Sequence, residues 1–203
     1  MQIHSLFAVP VYQSEIFLDE GTITHVKNQT WERVPFKTSS QTENRYLLED
    51  IECKNFREQV MAHCKNYTEQ YLRFKPYEFY LLNSWGMLHR PRDWSDAHHH
   101  RNSLISGVCY VQANENAGNL VFVNAPSNAL FPSSLCLAVE EYNVHNSETY
   151  FFTPTNGMIL LWPSQIEHRI NQNLSDQDRY SVTFNFFVRG EMGSDEHKCH
   201  LSL

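Results

Sequence analysis

The feature that most constrains the fold is a series of short runs of β-branched and aromatic residues in the second half of the chain. Such runs predict strands, which we expect at 78–88, 104–112, 119–124, 149–152, 157–162 and 180–188. Turn signals separate them, at 114–118, 126–128, 154–157 and 175–178. Short strands of this kind, without long helices between them, are typical of a jelly roll or a related double-sheet barrel.

The first 76 residues predict a smaller, supporting part. Residues 5–18 form an extended segment, and Pro10 places it at a sheet edge because proline cannot donate a ladder hydrogen bond. From about 19 to 50 polar residues dominate, and we expect loops with at most a short helix. Apolar residues then recur every three or four positions between Asp50 and Phe74, which predicts an amphipathic helix. They are Phe56, Val60, Cys64, Tyr67 and Tyr71.

These patterns predict a mainly β protein with flanking helices. We expect one domain over 1–190, in which 1–76 supply the N-terminal strand, loops and supporting helix, and 77–190 form the barrel core. Residues 191–203 are expected to be a polar C-terminal tail. A chain of 203 residues can bury a core that needs no disulfide bonds.

Charge and cysteine content narrow the classes of function. The chain has 16 lysines and arginines against 23 aspartates and glutamates, a net charge of −7, which argues against binding to a phosphate backbone. Its five cysteines are odd in number and form no CxxC pair, which argues against a disulfide framework or a zinc knuckle. Neither a secretory leader nor an apolar run of about eighteen residues is evident. We therefore expect a cytoplasmic protein without nucleic-acid or membrane partners.

A candidate metal site is formed by the sequence Asp96-Ala97-His98-His99-His100 and one distant histidine. Alternate residues of an extended segment point the same way, so His98 and His100 can present two imidazoles to one point. His168, which follows the predicted strand 157–162, is the candidate third ligand. Three protein ligands leave coordination positions open, as a catalytic metal needs and a structural metal normally lacks.

The last predicted strand alternates strictly between polar and apolar side chains. Its polar face contains Arg179, Ser181, Thr183 and Asn185. This face could point to water, as in an ordinary sandwich. Alternatively, it could line a cavity inside the barrel while the apolar face packs under a covering helix. In that second case Arg179 is a cation at the bottom of a pocket, suited to bidentate pairing with a carboxylate.

Four motifs follow one another along this half of the chain. Residues 98–111 (HHHRNSLISGVCYV) have the form of a metal-binding strand that continues into a "YL" strand, and 117–122 (AGNLVF) have the form GGxLxF. Residues 157–164 (GMILLWPS) have the form G-x-L-x-x-F-x-S and lead to His168. Arg179-Tyr180-Ser181 has the form RxS, about ten residues beyond that histidine.

In this order and spacing the motifs resemble those of the 2-oxoglutarate (2OG)/Fe(II)-dependent oxygenases, in particular the prolyl-hydroxylase-like branch. Within that branch the chain is similar to small oxygenases with a "HxHp…SGvYYv" signature. The resemblance covers about residues 80–188, and Leu6 to Val11 add a similar "LF-x-x-P-V" entry.

The resemblance implies a double-stranded β-helix, the jelly-roll or cupin-like barrel. It also implies a dioxygenase that uses Fe(II), 2OG and O2, hydroxylates its substrate and converts 2OG to succinate. The expected partner is a small-molecule or peptidyl substrate, with a prolyl residue or an amino acid as the first candidate.

By the same resemblance, iron would be bound by His98, His100 and His168. The distal carboxylate of 2OG would be bound by Arg179 with Ser181 and Tyr110. Asn83 and Asn185 are candidate polar groups near the carboxylate that chelates iron, although either could instead satisfy buried backbone groups. Tyr110 could equally be an aromatic residue of the sheet without a role in binding.

The chain departs from the family motif HxD/E, because His100 stands where the family has an acid. Three imidazoles could bind the iron, or Asp96 could supply a carboxylate. In a third arrangement His100 does not coordinate and water fills a ligand position. The spacing of His98 and His100 favours three imidazoles. A neutral histidine in place of the acid raises the net charge of the site by one and favours anionic ligands.

Two other functions are compatible with a histidine-rich barrel. A cupin-type three-His metalloenzyme would use the same histidines but would not need Arg179-x-Ser181 at this distance from His168. A non-catalytic jelly-roll binding or structural module would turn nothing over. A second, weaker metal candidate lies in the expected tail, at His197, Cys199 and His200.

Overall fold

The computed structural model describes residues 2, 8–34, 38–124, 137–194 and 196–202, which form twelve strands and two α-helices. In chain order they are β1 (Tyr12–Glu15), α1 (Glu20–Lys27), β2 (Trp31–Arg33), β3 (Ser40–Thr42), α2 (Lys54–Lys65), β4 (Glu78–His89), β5 (Ser95–His98), β6 (Ile105–Gln112), β7 (Leu120–Val123), β8 (Thr149–Phe152), β9 (Met158–Pro163), β10 (His168–Ile170), β11 (Arg179–Met192) and β12 (Cys199–Leu201). Two 3₁₀ turns (Leu47–Glu49 and Ile51–Cys53) precede α2, and a π-helical turn (Asn66–Tyr71) continues it. The turn predicted at 126–128 lies outside the described residues, as do Leu6 and Phe7 of the N-terminal motif.

The strands form two antiparallel sheets. The larger sheet has the order β1-β9-β6-β11-β4-β3-β2, with β12 paired to the end of β11. The smaller sheet has the order β5-β10-β7-β8. This is the mainly β, double-sheet architecture with flanking helices that the sequence predicts.

Strands β6 and β9 lie in the middle of the larger sheet, and both of their faces are buried. On one face Cys109 and Ile159 join the cluster that includes the helices, whereas Tyr110 and Leu160 on the other face pack with residues of the smaller sheet. Side chains of a strand point alternately to its two sides, so one sheet can contribute to two cores. The smaller sheet covers one face of the larger sheet, and the helices cover the opposite face.

The helices have local causes in the sequence. Helix α1 begins after Asp19, whose carboxylate accepts a hydrogen bond of 2.8 Å from the Thr22 N–H and so caps the first turn. Helix α2 buries Phe56, Val60 and Cys64, which lie on one stripe because they are four residues apart. The helix predicted between Asp50 and Phe74 is therefore present. In the described part of the chain, no helix is long and apolar enough to span a bilayer.

Strand β11 shows which of its faces points inward. Its apolar residues Val182, Phe184 and Phe186 are fully buried in the cluster that contains α1 and α2. Its polar residues Arg179, Ser181 and Thr183 line a cavity between the sheets. The second interpretation of the alternating pattern is thus confirmed, because the helices occupy the side on which the apolar row lies.

Some strands have no counterpart in the sequence prediction. Strands β2, β3, β10 and β12 have three residues each, which is too short for an alternating pattern to be recognised. Strand β11 continues past residue 190 to Met192 and pairs there with β12, so part of the segment expected to be a polar tail forms a hairpin. The side chains of this hairpin are mostly exposed. The two strands pair through backbone hydrogen bonds, which do not require apolar side chains.

The burial of the aromatic residues of β11 leads to a prediction about stability. Replacing Phe184, which is fully buried under the helices, with alanine leaves a cavity and should lower the free energy of unfolding by about 3–5 kcal/mol. The matched control is Phe151→Ala, because Phe151 is 59% exposed on β8 and its loss should change the stability by no more than about 0.5 kcal/mol. Urea titrations measure both values. Equal losses in the two variants would show that β11 does not pack as described.

Candidate functional site

Three histidines predicted as metal ligands converge where two strands of the smaller sheet meet. His98 at the end of β5 is the direct cross-strand partner of His168 at the start of β10. Their ring centroids lie 4.5 Å apart, and that of His100 lies 5.1 Å from His168. One ligand atom from each of the three residues lies within 4.8 Å of the other two. Register and the two-residue spacing thus bring together side chains seventy positions apart.

Each of the three rings has its Nδ1 atom next to an oxygen acceptor. The distances are 2.7 Å from His98 to the Asp96 carbonyl and 3.0 Å from His168 to the Ile166 carbonyl. Because a carbonyl can only accept, Nδ1 carries the proton in both rings, and Nε2 is the nitrogen with a lone pair for a metal. Such oxygen partners orient metal-binding histidines and make them more basic.

The partner of His100 is a side-chain amide. Asn185 Oδ1 lies 2.6 Å from His100 Nδ1 and also accepts a hydrogen bond of 2.8 Å from the Ser106 hydroxyl. Asn185 Nδ2 donates in turn to Asn83 Oδ1, over 2.8 Å. The two asparagines expected near the iron-chelating carboxylate are thus connected to His100. This network fixes the imidazole without adding a charge.

The candidate metal-binding group contains no carboxylate among the described residues. The Asp96 side chain is exposed and is not a member of the group, although its backbone carbonyl accepts the bond from His98. Burial, with a smaller contribution from His98, lowers the pKa of His168 to about 3. A buried imidazole that stays neutral suits a metal ligand, because only the unprotonated nitrogen can coordinate.

The histidines lie at one side of a cavity of about 180 Å³ between the sheets. Strand β4 lines it with Trp85, Met87 and His89, which are alternate residues and so share a face. Strand β11 contributes the polar row Arg179, Ser181 and Thr183. Strands β6 and β9 add Val108, Tyr110 and Trp162. The three imidazoles and the guanidinium of Arg179 therefore line the same cavity, as the sequence predicts.

Arg179 is 1% exposed, and no carboxylate of the described residues pairs with it. Its Nη1 donates to the carbonyls of Ala117 and Gly118 over 3.1 and 2.9 Å, whereas its buried Nε has no partner among the residues that the structure describes. A buried charge is costly unless an opposite charge or hydrogen bonds compensate it. The cavity thus offers a cation to an anionic ligand that enters it.

Two further polar groups near Arg179 are buried and have no hydrogen-bond partner in the described part of the chain. The Tyr110 hydroxyl is one, and the guanidinium carbon of Arg179 lies 5.8 Å from the Tyr110 ring centroid. The second is Nδ1 of His89, the residue that pairs with Arg179 across β4 and β11. Sequence reasoning missed His89, because a single histidine before an Arg-Pro turn carries no local signal. Only the cross-strand register reveals its place.

The weaker metal candidate at the C-terminus does not form a group of this kind. His200 lies on β12, where its Nδ1 is 3.0 Å from the carboxylate of Glu191. Across the ranges that the structure describes, His98, His100 and His168 form the group with metal-binding geometry.

The residues present fit a divalent metal and an anion together. Three imidazoles with fixed tautomers suit Fe(II) or a similar ion, and their number leaves positions open for other ligands. The unpaired Arg179 Nε and Tyr110 hydroxyl suit a carboxylate, which accepts through two oxygens. A molecule that chelates the metal at one end and carries a carboxylate at the other satisfies both.

Comparison with known proteins gives one family. A family model described as "Putative 2OG-Fe(II) oxygenase" matches residues 83–185, about half of the chain. The match contains His98, His100, His168 and Arg179. None of the curated proteins matches the chain.

Solved structures of low sequence identity share the fold. HygX from Streptomyces hygroscopicus, solved with nickel, 2-oxoglutarate and hygromycin B, is 11% identical, with a TM-score of 0.60 over 88% of this chain and 82% of that chain. A prolyl-4-hydroxylase from Pseudomonas putida is 14% identical, with a TM-score of 0.57 over 91% and 96%. A prolyl hydroxylase from Trichoplax adhaerens, in complex with a hypoxia inducible factor peptide fragment, is 10% identical, with a TM-score of 0.58 over 87% and 83%. These likenesses confirm the predicted double-stranded β-helix.

The geometry predicts which side chains hold the metal. In anaerobic titrations with Fe(II), His100→Ala should weaken metal binding by at least about tenfold, because it removes one of three ligands. Asp96→Ala should bind as the unaltered protein does, since it keeps the backbone carbonyl that orients His98. His99→Ala is the control for a change in the same segment, because His99 is exposed and outside the group. Tight binding by His100→Ala together with weak binding by Asp96→Ala would contradict the three-imidazole arrangement.

Proposed function

The chain belongs to the 2OG-Fe(II) oxygenase family, and from this membership we propose a hydroxylase in which His98, His100 and His168 hold iron and Arg179 anchors 2OG. It is a 2OG/Fe(II)-dependent oxygenase that uses Fe(II), 2OG and O2, as the motifs predict. The substrate that it hydroxylates is unidentified.

The observation that carries the proposal is the buried, unpaired Arg179 in the cavity that the three imidazoles border. A guanidinium in this position needs an anion, and the two carbonyls that accept from Nη1 hold it in one orientation. The distal carboxylate of 2OG supplies that anion. Ser181 and Tyr110 line the cavity beside Arg179, which supports their proposed roles as further contacts of this carboxylate.

Burial supports a direction of access to the site. Arg179 and Tyr110 are each 1% exposed, whereas His98 and His100 are only partly buried. The cosubstrate therefore enters with its distal carboxylate first, and its 2-oxo acid end stays beside the imidazoles. The substrate then approaches from the side of His98 and His100.

Each group of residues then has a defined task. Iron, 2OG and O2 supply the oxidising chemistry when bound, with succinate and CO2 as the products of 2OG. Arg179 anchors the distal end of 2OG and so sets the orientation of 2OG in the cavity. The Asn185 side-chain oxygen accepts the proton of His100 Nδ1 and so holds the imidazole in place, which supports a positioning role for Asn185. Trp162 and Tyr110, both buried, keep water from the inner end of the cavity.

We propose a small molecule or a peptide as the substrate class, with a prolyl residue or an amino acid as the first candidate. HygX is solved with hygromycin B and the Trichoplax adhaerens enzyme with a peptide fragment, so the shared fold accepts both classes. In this chain Trp85 has its ring centroid 5.9 Å from that of His100, and Met87 and Val34 also line the cavity. Apolar walls beside the metal ligands favour an aliphatic group such as a prolyl ring.

Two broader proposals go with this function. Residues 1–190 act as one domain, since the helices of the N-terminal part share a core with β6, β9 and β11. A cytoplasmic location is supported by the unpaired thiols of Cys53, Cys64 and Cys109, because disulfides are rare in a reducing compartment. The net charge of −7 supports the absence of a nucleic-acid partner.

The alternative functions lack a use for this arginine. A cupin-type three-His metalloenzyme without 2OG has no use for a buried guanidinium, unpaired among the described residues, in the cavity that the three histidines border. A structural module would pair the charge internally, because an uncompensated buried cation lowers stability. The cavity therefore favours the 2OG-dependent enzyme.

The proposal is tested by Fe(II)-dependent conversion of 2OG to succinate. Arg179→Ala should abolish this turnover and weaken 2OG binding by at least about 30-fold, roughly 2 kcal/mol, because it removes the partner of a buried carboxylate. The matched control is Arg189→Ala on the same strand, whose guanidinium is exposed and pairs with Glu78. That variant should retain turnover.

The Fe(II) affinity of Arg179→Ala, measured without oxygen, shows whether a loss of turnover comes from lost 2OG binding or from a damaged metal site. Arg179→Ala should bind Fe(II) with the affinity of the unaltered protein, since Arg179 is not a ligand. Turnover of 2OG by Arg179→Ala at the rate of the unaltered protein would show that 2OG binds elsewhere.

A further inference from the structure

We infer that His89 is a second residue that binds the distal carboxylate of 2OG, donating a hydrogen bond from Nδ1 beside the Arg179 guanidinium. None of the sequence motifs includes this residue. The inference rests on the proposed function, because it concerns the same cavity and the same cosubstrate. It adds a neutral donor to the proposed contacts of that carboxylate.

The position of His89 follows from the pairing of two strands. His89 is the last residue of β4 and lies directly opposite Arg179, the first residue of β11. Directly paired residues of antiparallel strands have neighbouring side chains on the same face of the sheet. Both residues are 1% exposed and line the cavity. A ligand that reaches Arg179 therefore also reaches His89.

One nitrogen of the His89 ring has a protein partner and the other has none among the described residues. Nε2 lies 2.9 Å from the hydroxyl oxygen of Ser95, whereas Nδ1 is buried and unpaired. An unsatisfied buried nitrogen costs free energy, so it is expected to have a ligand partner when the site is filled. Burial, and then the charge of Arg179, lower the pKa of His89 well below its ordinary value, which keeps the ring neutral.

Two serines are compatible with the tautomer that carries the proton on Nδ1, the tautomer that the proposed contact needs. The Ser39 hydroxyl is buried and lies 3.4 Å from that of Ser95, within reach to donate to it. Ser95 can then donate its own proton to His89 Nε2. A ring that accepts at Nε2 carries its proton on Nδ1. In this arrangement the chain Ser39, Ser95, His89 ends in a neutral donor in the cavity.

A carboxylate satisfies three unpartnered groups at once. Arg179 Nε, the Tyr110 hydroxyl and His89 Nδ1 are all buried, have no partner within the described ranges and belong to residues that line the cavity. A carboxylate has two oxygens that together accept about four hydrogen bonds. Because His89 is neutral, it adds a donor without placing a second positive charge beside Arg179. Burial of both residues argues against a contact with a substrate that approaches from the side of His98 and His100.

The test compares three variants and two cosubstrates in anaerobic titrations of the Fe(II)-loaded protein, followed by the visible absorption of the chelated 2-oxo acid. His89→Leu removes both nitrogens. His89→Asn keeps a nitrogen donor near the position of Nδ1, and His89→Gln keeps one near Nε2. The second cosubstrate is 2-oxopentanoate, which carries a methyl group in place of the distal carboxylate. Fe(II) affinity and the unfolding temperature of each variant report on its metal site and fold.

The expected result is specific to one carboxylate and one ring nitrogen. His89→Leu and His89→Gln should weaken 2OG binding by at least about tenfold, as expected for loss of a hydrogen bond to a charged group, and leave 2-oxopentanoate binding unchanged. His89→Asn should recover most of the 2OG affinity. Fe(II) affinity should be the same in all three variants.

Other outcomes overturn the inference. Unchanged 2OG affinity in His89→Leu would show that His89 makes no contact. Equal losses for both 2-oxo acids, or equal behaviour of His89→Asn and His89→Gln, would show that the ring acts only by filling space. If the unaltered Fe(II) protein does not bind 2OG, the proposed function itself fails, and this inference fails with it.

Discussion

One constraint governs the chemistry of this molecule: a guanidinium is buried between two β-sheets, and no carboxylate of the described residues pairs with it. Arg179 has been removed from water, and the backbone carbonyls of Ala117 and Gly118 satisfy only part of its donor capacity. A protein retains such an unfavourable group when a ligand completes it. The three imidazoles border the same cavity. We therefore expect the other end of that ligand to coordinate a metal.

The fold makes this arrangement possible by dividing the two faces of one strand. The outer face of β11 packs with the helices, so its aromatic residues need no other partner. Its inner face is then available for arginine, serine and threonine in a cavity closed by the smaller sheet. The smaller sheet also pairs His98 with His168, so closing the barrel forms the proposed metal site and the proposed anion pocket together. A metal held by three neutral imidazoles keeps its full double charge, which favours a doubly anionic cosubstrate such as 2OG.

The sequence predicted those parts that leave a periodic or spaced signal. The long strands, the helix after Asp50, the histidine pair and the RxS motif each have such a pattern, and the structure has them in the predicted order. Three-residue strands have no measurable period, so β3 and β10 could not be predicted. The partners of His100 could not be predicted either, since Asn185 and Ser106 meet through the register of β11 and β6. His89 belongs to the same class, because its importance comes from facing Arg179 and not from its neighbours in the chain.

The most direct test of the central claim is a crystal structure of the protein prepared without oxygen in the presence of Fe(II) and 2OG. The account predicts a metal ion bound by His98, His100 and His168, with one end of 2OG on the metal and its distal carboxylate against Arg179. A structure in which 2OG lies outside this cavity, or in which Arg179 pairs with a carboxylate of the protein itself, would contradict it.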